Sequence, residues 1–190
     1  MNKTPIQIIE ITSQSGKITK EIKIDFRDFL ELGSNTSQII IDFKNSYLTL
    51  IEDAEKLFFN DNKEKKRTQN LSSSTCWKLG KLFDDFNKNI KNKFEITNYA
   101  EALERDFGRS ASYIREIITF YKLFKKTEIF DNIPMAVYRA LVWKKNELDS
   151  VGILEQEIDR LIDMGKKGET IGREKYKKFL IEQIQKTKSL

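Results

Sequence analysis

Residues 96–124 read ITNYAEALERDFGRSASYIREIITFYKLF. Thr97 is a cap candidate for a first helix over 98–107. Gly108 suits the left-handed conformation that ends a helix. Ser110 restarts the chain with a hydroxyl able to cap a second helix from Ala111 onward. Two helices joined by a three-residue, glycine-bearing turn are the helix-turn-helix pattern. In the second helix, Ala111, Ile114, Ile117, Ile118, Tyr121 and Phe124 recur on one face, which is predicted to be buried. Ser112, Arg115, Glu116, Thr119 and Lys122 fall on the opposite face. In a major groove, Arg115 would bond guanine, and Ser112 and Thr119 would reach bases or phosphates. Arg109 and Ser110 stand at the helix N-terminus, where backbone N–H groups favour a phosphate. Lys125 and Lys126 extend the positive strip. The competing reading is an ordinary amphipathic helix with a solvated face, and Glu116 favours it, because a carboxylate repels phosphate.

Outward from this stretch the chain is read as helical. A helix over 75–90 puts Trp77, Leu79, Leu82, Phe83, Phe86 and Ile90 on its apolar face. Downstream, Pro134 opens a helix with Val137, Tyr138, Leu141 and Val142 inside. Two more helices are expected near 154–164 and 173–185, separated by GKKGETIG. Upstream, Ile39, Phe43, Tyr47, Leu50, Ala54, Leu57 and Phe58 predict a helix over 35–60. Between them, residues 61–74, DNKEKKRTQNLSSS, read as a surface loop and domain boundary. Residues 1–26 read as a β-hairpin: Ile18, Ile22, Ile24 and Phe26 share a face at period two, and TSQSGK suits the turn. A lone hairpin is marginal in water, so it must pack on its own helices or pair with a second copy. The expected organisation is a hairpin-plus-helix region over 1–60, a linker over 61–74 and a helical domain over 75–190.

Composition narrows the function. The 190-residue chain has no His and a single Cys, which excludes disulfide frameworks, Cys/His zinc sites and His-based triads. No metal or other cofactor is expected. Its start, MNKTPIQIIE, lacks a secretory pattern, and no apolar run approaches the ~20 residues of a membrane span. A cytoplasmic protein without membrane attachment is the expectation. Residues 1–70 carry 11 basic and 11 acidic side chains, and residues 71–190 carry 23 and 18. The whole net charge of +5 therefore lies in the later part and points to a polyanionic partner there.

Enzyme chemistry finds little support. The carboxylate pairs Asp84–Asp85, Glu52–Asp53 and Glu155–Glu157 read as solvated helix surface. Gly165, Gly168 and Gly172 follow no strand and precede no Gly-Lys-Ser/Thr, so no phosphate loop forms. Cys76, beside Trp77 on a buried helix, reads as a core thiol. No enzymatic activity is expected.

GRSASYIREIITFYKL resembles the recognition segment of ParB/KorB-type partition proteins. Gly108, Arg109, Ser110, Ser112, Tyr113 and Ile114 follow its order of Gly, basic, Ser, polar, aromatic and β-branched residues. IPMAVYRALV (133–142) is similar to the helix that follows the reader in that family. LEQEIDRLIDMGKKGETIGREKYKKFL (154–180) resembles its next helical pair. The likeness spans about residues 75–185. Two departures stand out. Residues 1–74 lack the family's nucleotide-binding Gly-Glu-Arg-Arg motif, so no CTP switch is implied, and Glu104 occupies a position usually held by a small residue. A second likeness joins WKLGKLF (77–83) and LERDFGRSASYIREIITFYKLF (103–124). It is to the helical module that precedes PD-(D/E)XK-type nuclease domains, with Trp77, Leu79, Gly80, Phe107, Gly108, Phe120, Tyr121 and Phe124 in its pattern.

The expected fold is mainly α, a multi-helical helix-turn-helix domain with an N-terminal β-hairpin. The expected function is sequence-specific binding of double-stranded DNA, in plasmid or chromosome partition or in transcriptional regulation. Arg109, Ser110, Lys122, Lys125 and Lys126 would contact phosphates, and Ser112, Arg115 and Thr119 would read bases. The resemblance adds Tyr113. Two-fold recognition needs a homodimer, and a partition ATPase is a further candidate partner. The alternative function is a helical protein-interaction module that docks a separate nuclease or ATPase.

Overall fold

The structure, a computed structural model, describes residues 6–12, 18–24, 36–64, 71–94, 103–104 and 109–189, with side chains at 38, 41–58, 71–89, 103–104 and 109–189. Helix dominates the described residues. The order is β1 (Ile6–Thr12), β2 (Ile18–Ile24), α1 (Thr36–Glu64), α2 (Ser73–Phe94), α3 (Ala111–Leu123), a 3₁₀ turn (Lys126–Glu128), α4 (Met135–Ser150), α5 (Leu154–Lys166) and α6 (Arg173–Lys188). The backbones of β1 and β2 pair antiparallel, with Ile6 opposite Ile24 and Thr12 opposite Ile18. The turn between them and the apolar face expected of Ile18, Ile22, Ile24 and Phe26 lie outside the described residues.

The chain forms two compact units, each drawn from two stretches: 1–53 with 85–114, and 54–84 with 115–190. In the first, Phe43 and Tyr47 of α1 stack on each other, centroids 6.1 Å apart, and Tyr47 meets Phe86 of α2 at 5.6 Å. This is the apolar stripe that the three- and four-residue spacing predicts. Leu103 is fully buried in the same unit.

The second unit is held by close helix packing. Gly80 of α2 lies where any Cβ would run into the Ile117 carbonyl and Tyr121 of α3. That absence of a side chain lets the two backbones approach. Beside it, the Trp77 indole donates its N–H to the Phe124 carbonyl at 2.7 Å, and its ring meets Tyr121 at 5.1 Å. Phe120, Phe124 and Tyr138 form one aromatic cluster with centroids 5.0–5.5 Å apart. The Tyr138 hydroxyl accepts the Phe130 N–H, and burial raises its pKa above the usual phenolic value. Helix α4 packs on α5 and α6, burying Ala140, Leu141 and Leu148 of α4 with Tyr176, Leu180 and Ile184 of α6. Helix α5 stops at Gly168 with φ of +72°. There the Gly168 N–H donates to the Gly165 carbonyl and the Glu169 N–H to the Met164 carbonyl, the Schellman pattern.

Three expectations need correction. Both ends of the stretch read as a loop over 61–74 are helical: α1 runs on to Glu64 and α2 starts at Ser73. The Ser72 hydroxyl caps α2 by accepting the Thr75 N–H at 3.1 Å, and residues 65–70 lie outside the described residues. The carboxylates read as solvated are not all so. Asp84 is 1% exposed and Glu157 2% exposed, while Asp85 and Glu155 face solvent. Each buried acid has a cation close by: Lys122 Nζ lies 2.8 Å from Asp84, and Arg160 Nε 3.4 Å from Glu157. Finally, Glu116 does not project freely. Its carboxylate accepts from Arg139 Nε at 2.7 Å.

Candidate nucleic-acid interface

The first helix expected over 98–107 and its Gly108 stop lie outside the described residues except for Leu103 and Glu104, both helical. The second helix is present as α3, and its inward face is the predicted one: Ala111, Ile114, Ile117 and Ile118 are buried, Phe124 just beyond it is buried, and Tyr121 is half-buried.

At the start of α3, in the first unit, Ser110 caps the helix by accepting the Tyr113 N–H at 3.2 Å. The Ala111 N–H donates to the Glu104 carboxylate at 3.1 Å. A helix N-terminus attracts anions, and here the chain supplies its own. A phosphate at this end must compete with Glu104, which residue spacing alone does not reveal. The Arg109 guanidinium lies over the half-buried Tyr113 ring, 5.7 Å from its centroid. Ser112 is exposed.

From Arg115 onward α3 belongs to the second unit. Arg115 is exposed and one turn into the helix. Thr119, four residues on, is half-buried, and its hydroxyl donates to the Arg115 carbonyl at 2.9 Å, which keeps its proton within the helix. Lys122 is 53% exposed with its ammonium on buried Asp84. Lys125 is 84% exposed, 3.8 Å from Glu128, and Lys126 is exposed. The predicted cations of this unit are therefore accessible, but they are not equivalent. Lys122 also neutralises a buried acid, whereas Lys125 has a loose, solvent-screened neighbour.

Arg139 of α4 cancels Glu116, and this removes the repulsion that counted against phosphate on this face. It also ties α3 to a feature missed in the sequence. The Trp143 ring is 44% exposed and carries two guanidinium groups: Arg139 at 5.4 Å and Arg173 of α6 at 4.8 Å. The i, i+4 spacing of Arg139 and Trp143 could have suggested the first contact. Arg173 is 30 residues away in sequence and needs the α4–α6 packing.

Among the described residues there is no cluster of acidic or Cys side chains able to hold a metal ion, and no helix long and apolar enough to cross a membrane. The chain matches no protein-family model, no curated protein and no solved structure.

Proposed function

We propose that the chain binds double-stranded DNA through the outward face of α3, as the second helix of a helix-turn-helix. The observation that carries the reading is the state of that face. Arg115 is exposed, Lys122, Lys125 and Lys126 follow it, and the one acid on the face, Glu116, is neutralised by Arg139. Arg115 is the base reader, Ser112 and Thr119 flank it, and Lys125 and Lys126 meet phosphates. Arg109, Ser110 and Tyr113 serve the phosphate next to the helix start, in competition with Glu104. Two copies reading a two-fold site, in partition or in transcriptional control, complete the proposal.

The test is duplex binding at several salt concentrations. If roughly four to six phosphates are neutralised, log K falls against log salt with a slope on the order of −4 to −5. Arg115→Ala should cost about 1–3 kcal/mol on a preferred site and flatten sequence preference. A flat salt response, or wild-type affinity in a folded Arg115→Ala protein, overturns the reading.

A further inference from the structure

Trp143 is one of two large apolar side chains left exposed among the described residues, and the other, Ile41, is in the first unit. A tryptophan facing water with arginines on its ring is the composition found at binding hot spots.

The geometry shows what kind of partner suits it. A guanidinium drawn to an indole by its charge still has N–H donors to offer to other groups. For Arg139 those donors reach Glu116 of α3, at 2.6 and 2.7 Å. For Arg173 the carboxylate neighbour is Glu174, 3.8 Å away and 72% exposed, too far for a hydrogen bond and screened by water. Arg173 thus sets a cation beside an apolar plate. Glu116, Arg139, Trp143 and Arg173 run in one chain of contacts from the α3 face across α4 to the start of α6. Charge follows the same direction. Residues 173–188 carry six basic and two acidic side chains, so α6 holds most of the net charge of the protein. An arginine fork suits a phosphate, and an indole suits the sugar or base edge beside it.

We propose that Trp143 and Arg173 form a second nucleic-acid contact, gripping the phosphodiester backbone of the duplex that α3 reads. This rests on the reading of α3 as a duplex-binding helix. Arg173 neutralises one phosphate, and Trp143 covers the adjoining sugar. Arg139 positions the indole and joins the two contacts.

The experiment uses the full chain and a mixed-sequence duplex, read by tryptophan emission and by salt-dependent affinity. In wild type the emission should change on binding. In Trp143→Phe, which keeps Trp77, that change should disappear. Arg173→Ala should weaken binding about 3–10-fold and reduce the salt slope by about one unit, while Arg173→Lys should keep the slope. An emission change that survives Trp143→Phe, or an Arg173→Ala protein with wild-type affinity and slope, overturns the proposal. So does displacement of the duplex by poly-glutamate of matched charge, which would assign the surface to an acidic protein. Arg115→Ala separates the two readings. Loss with Arg115→Ala but not with Arg173→Ala leaves α3 as the sole contact and rejects this one. Loss with Arg173→Ala and Trp143→Phe but not with Arg115→Ala supports this contact and rejects the α3 reader. A wild-type chain that binds no duplex at low salt rejects both.

Discussion

Asp84 is buried and Lys122 is half exposed, yet the two form one ion pair. A buried carboxylate is costly unless a cation accompanies it, and Lys122 brings its ammonium to 2.8 Å. Lys122→Ala should therefore destabilise the fold by about 2–3 kcal/mol, measured by urea unfolding, and Asp84→Asn in the same chain should restore much of it. A Lys122→Ala variant as stable as wild type would mean that Asp84 relies on other partners. Glu157 behaves differently. Burial holds its pKa above the ordinary carboxylate value, with Arg160 pulling it partly back. A raised folded pKa means that the native state binds the proton more tightly than the unfolded chain. This contribution to stability is therefore greatest below the unfolded carboxylate value and is lost as pH rises through the folded one. Glu157→Gln should flatten the stability–pH curve across that window and raise stability at neutral pH relative to its value in acid. Unfolding curves from acid to neutral pH check it, and an unchanged slope refutes it. The burial of Tyr176 works in the same direction on its phenol, whose pKa is raised mainly by desolvation, with Glu157 adding to it.

At the level of elements, the α2–α3 crossing is the joint that positions the candidate reader. Gly80→Ala puts a methyl into the Ile117 carbonyl, which is backbone and cannot rotate away. The helices must separate, at a cost of about 1–3 kcal/mol, and the Trp77 hydrogen bond to Phe124 should weaken with them. A lower denaturation midpoint together with a red-shifted tryptophan emission is the expected result; a stability equal to wild type would show that the crossing has slack. The helices themselves were legible from spacing. Val137, Tyr138 and Leu141 are buried in α4 as their periodicity predicts, and Ser110 caps α3 with the bond its position implies. Glu104 at the start of α3 is not legible from helical spacing, because it stands seven residues before Ala111, outside the three- and four-residue neighbours of a helix.

For the whole molecule, the boundary drawn through residues 61–74 meets a testable difference. Residues 54–64 of α1 belong to the same compact unit as α4, α5 and α6, and Ala54 is fully buried. A fragment starting near residue 70 removes that piece, whereas one starting at residue 54 keeps it. The longer fragment should melt higher by ~5 °C or more, followed by circular dichroism. Equal midpoints would support the boundary at 61–74.

What residue order settles here is local: helical periodicity, caps, the lack of histidine chemistry, and the side of the chain that carries the positive charge. These depend on neighbours three or four positions apart, and helix geometry makes such neighbours predictable. Which charges stay available depends on long-range packing. Asp84 claims Lys122 across 38 residues, Arg139 reaches back 23 residues to Glu116, and Arg173 crosses 30 residues to Trp143. Burial changes what a charge costs, and burial is set by which helices meet. The same polar face is therefore uniform in the sequence and divided in the fold between cations paired with acids and cations exposed to solvent.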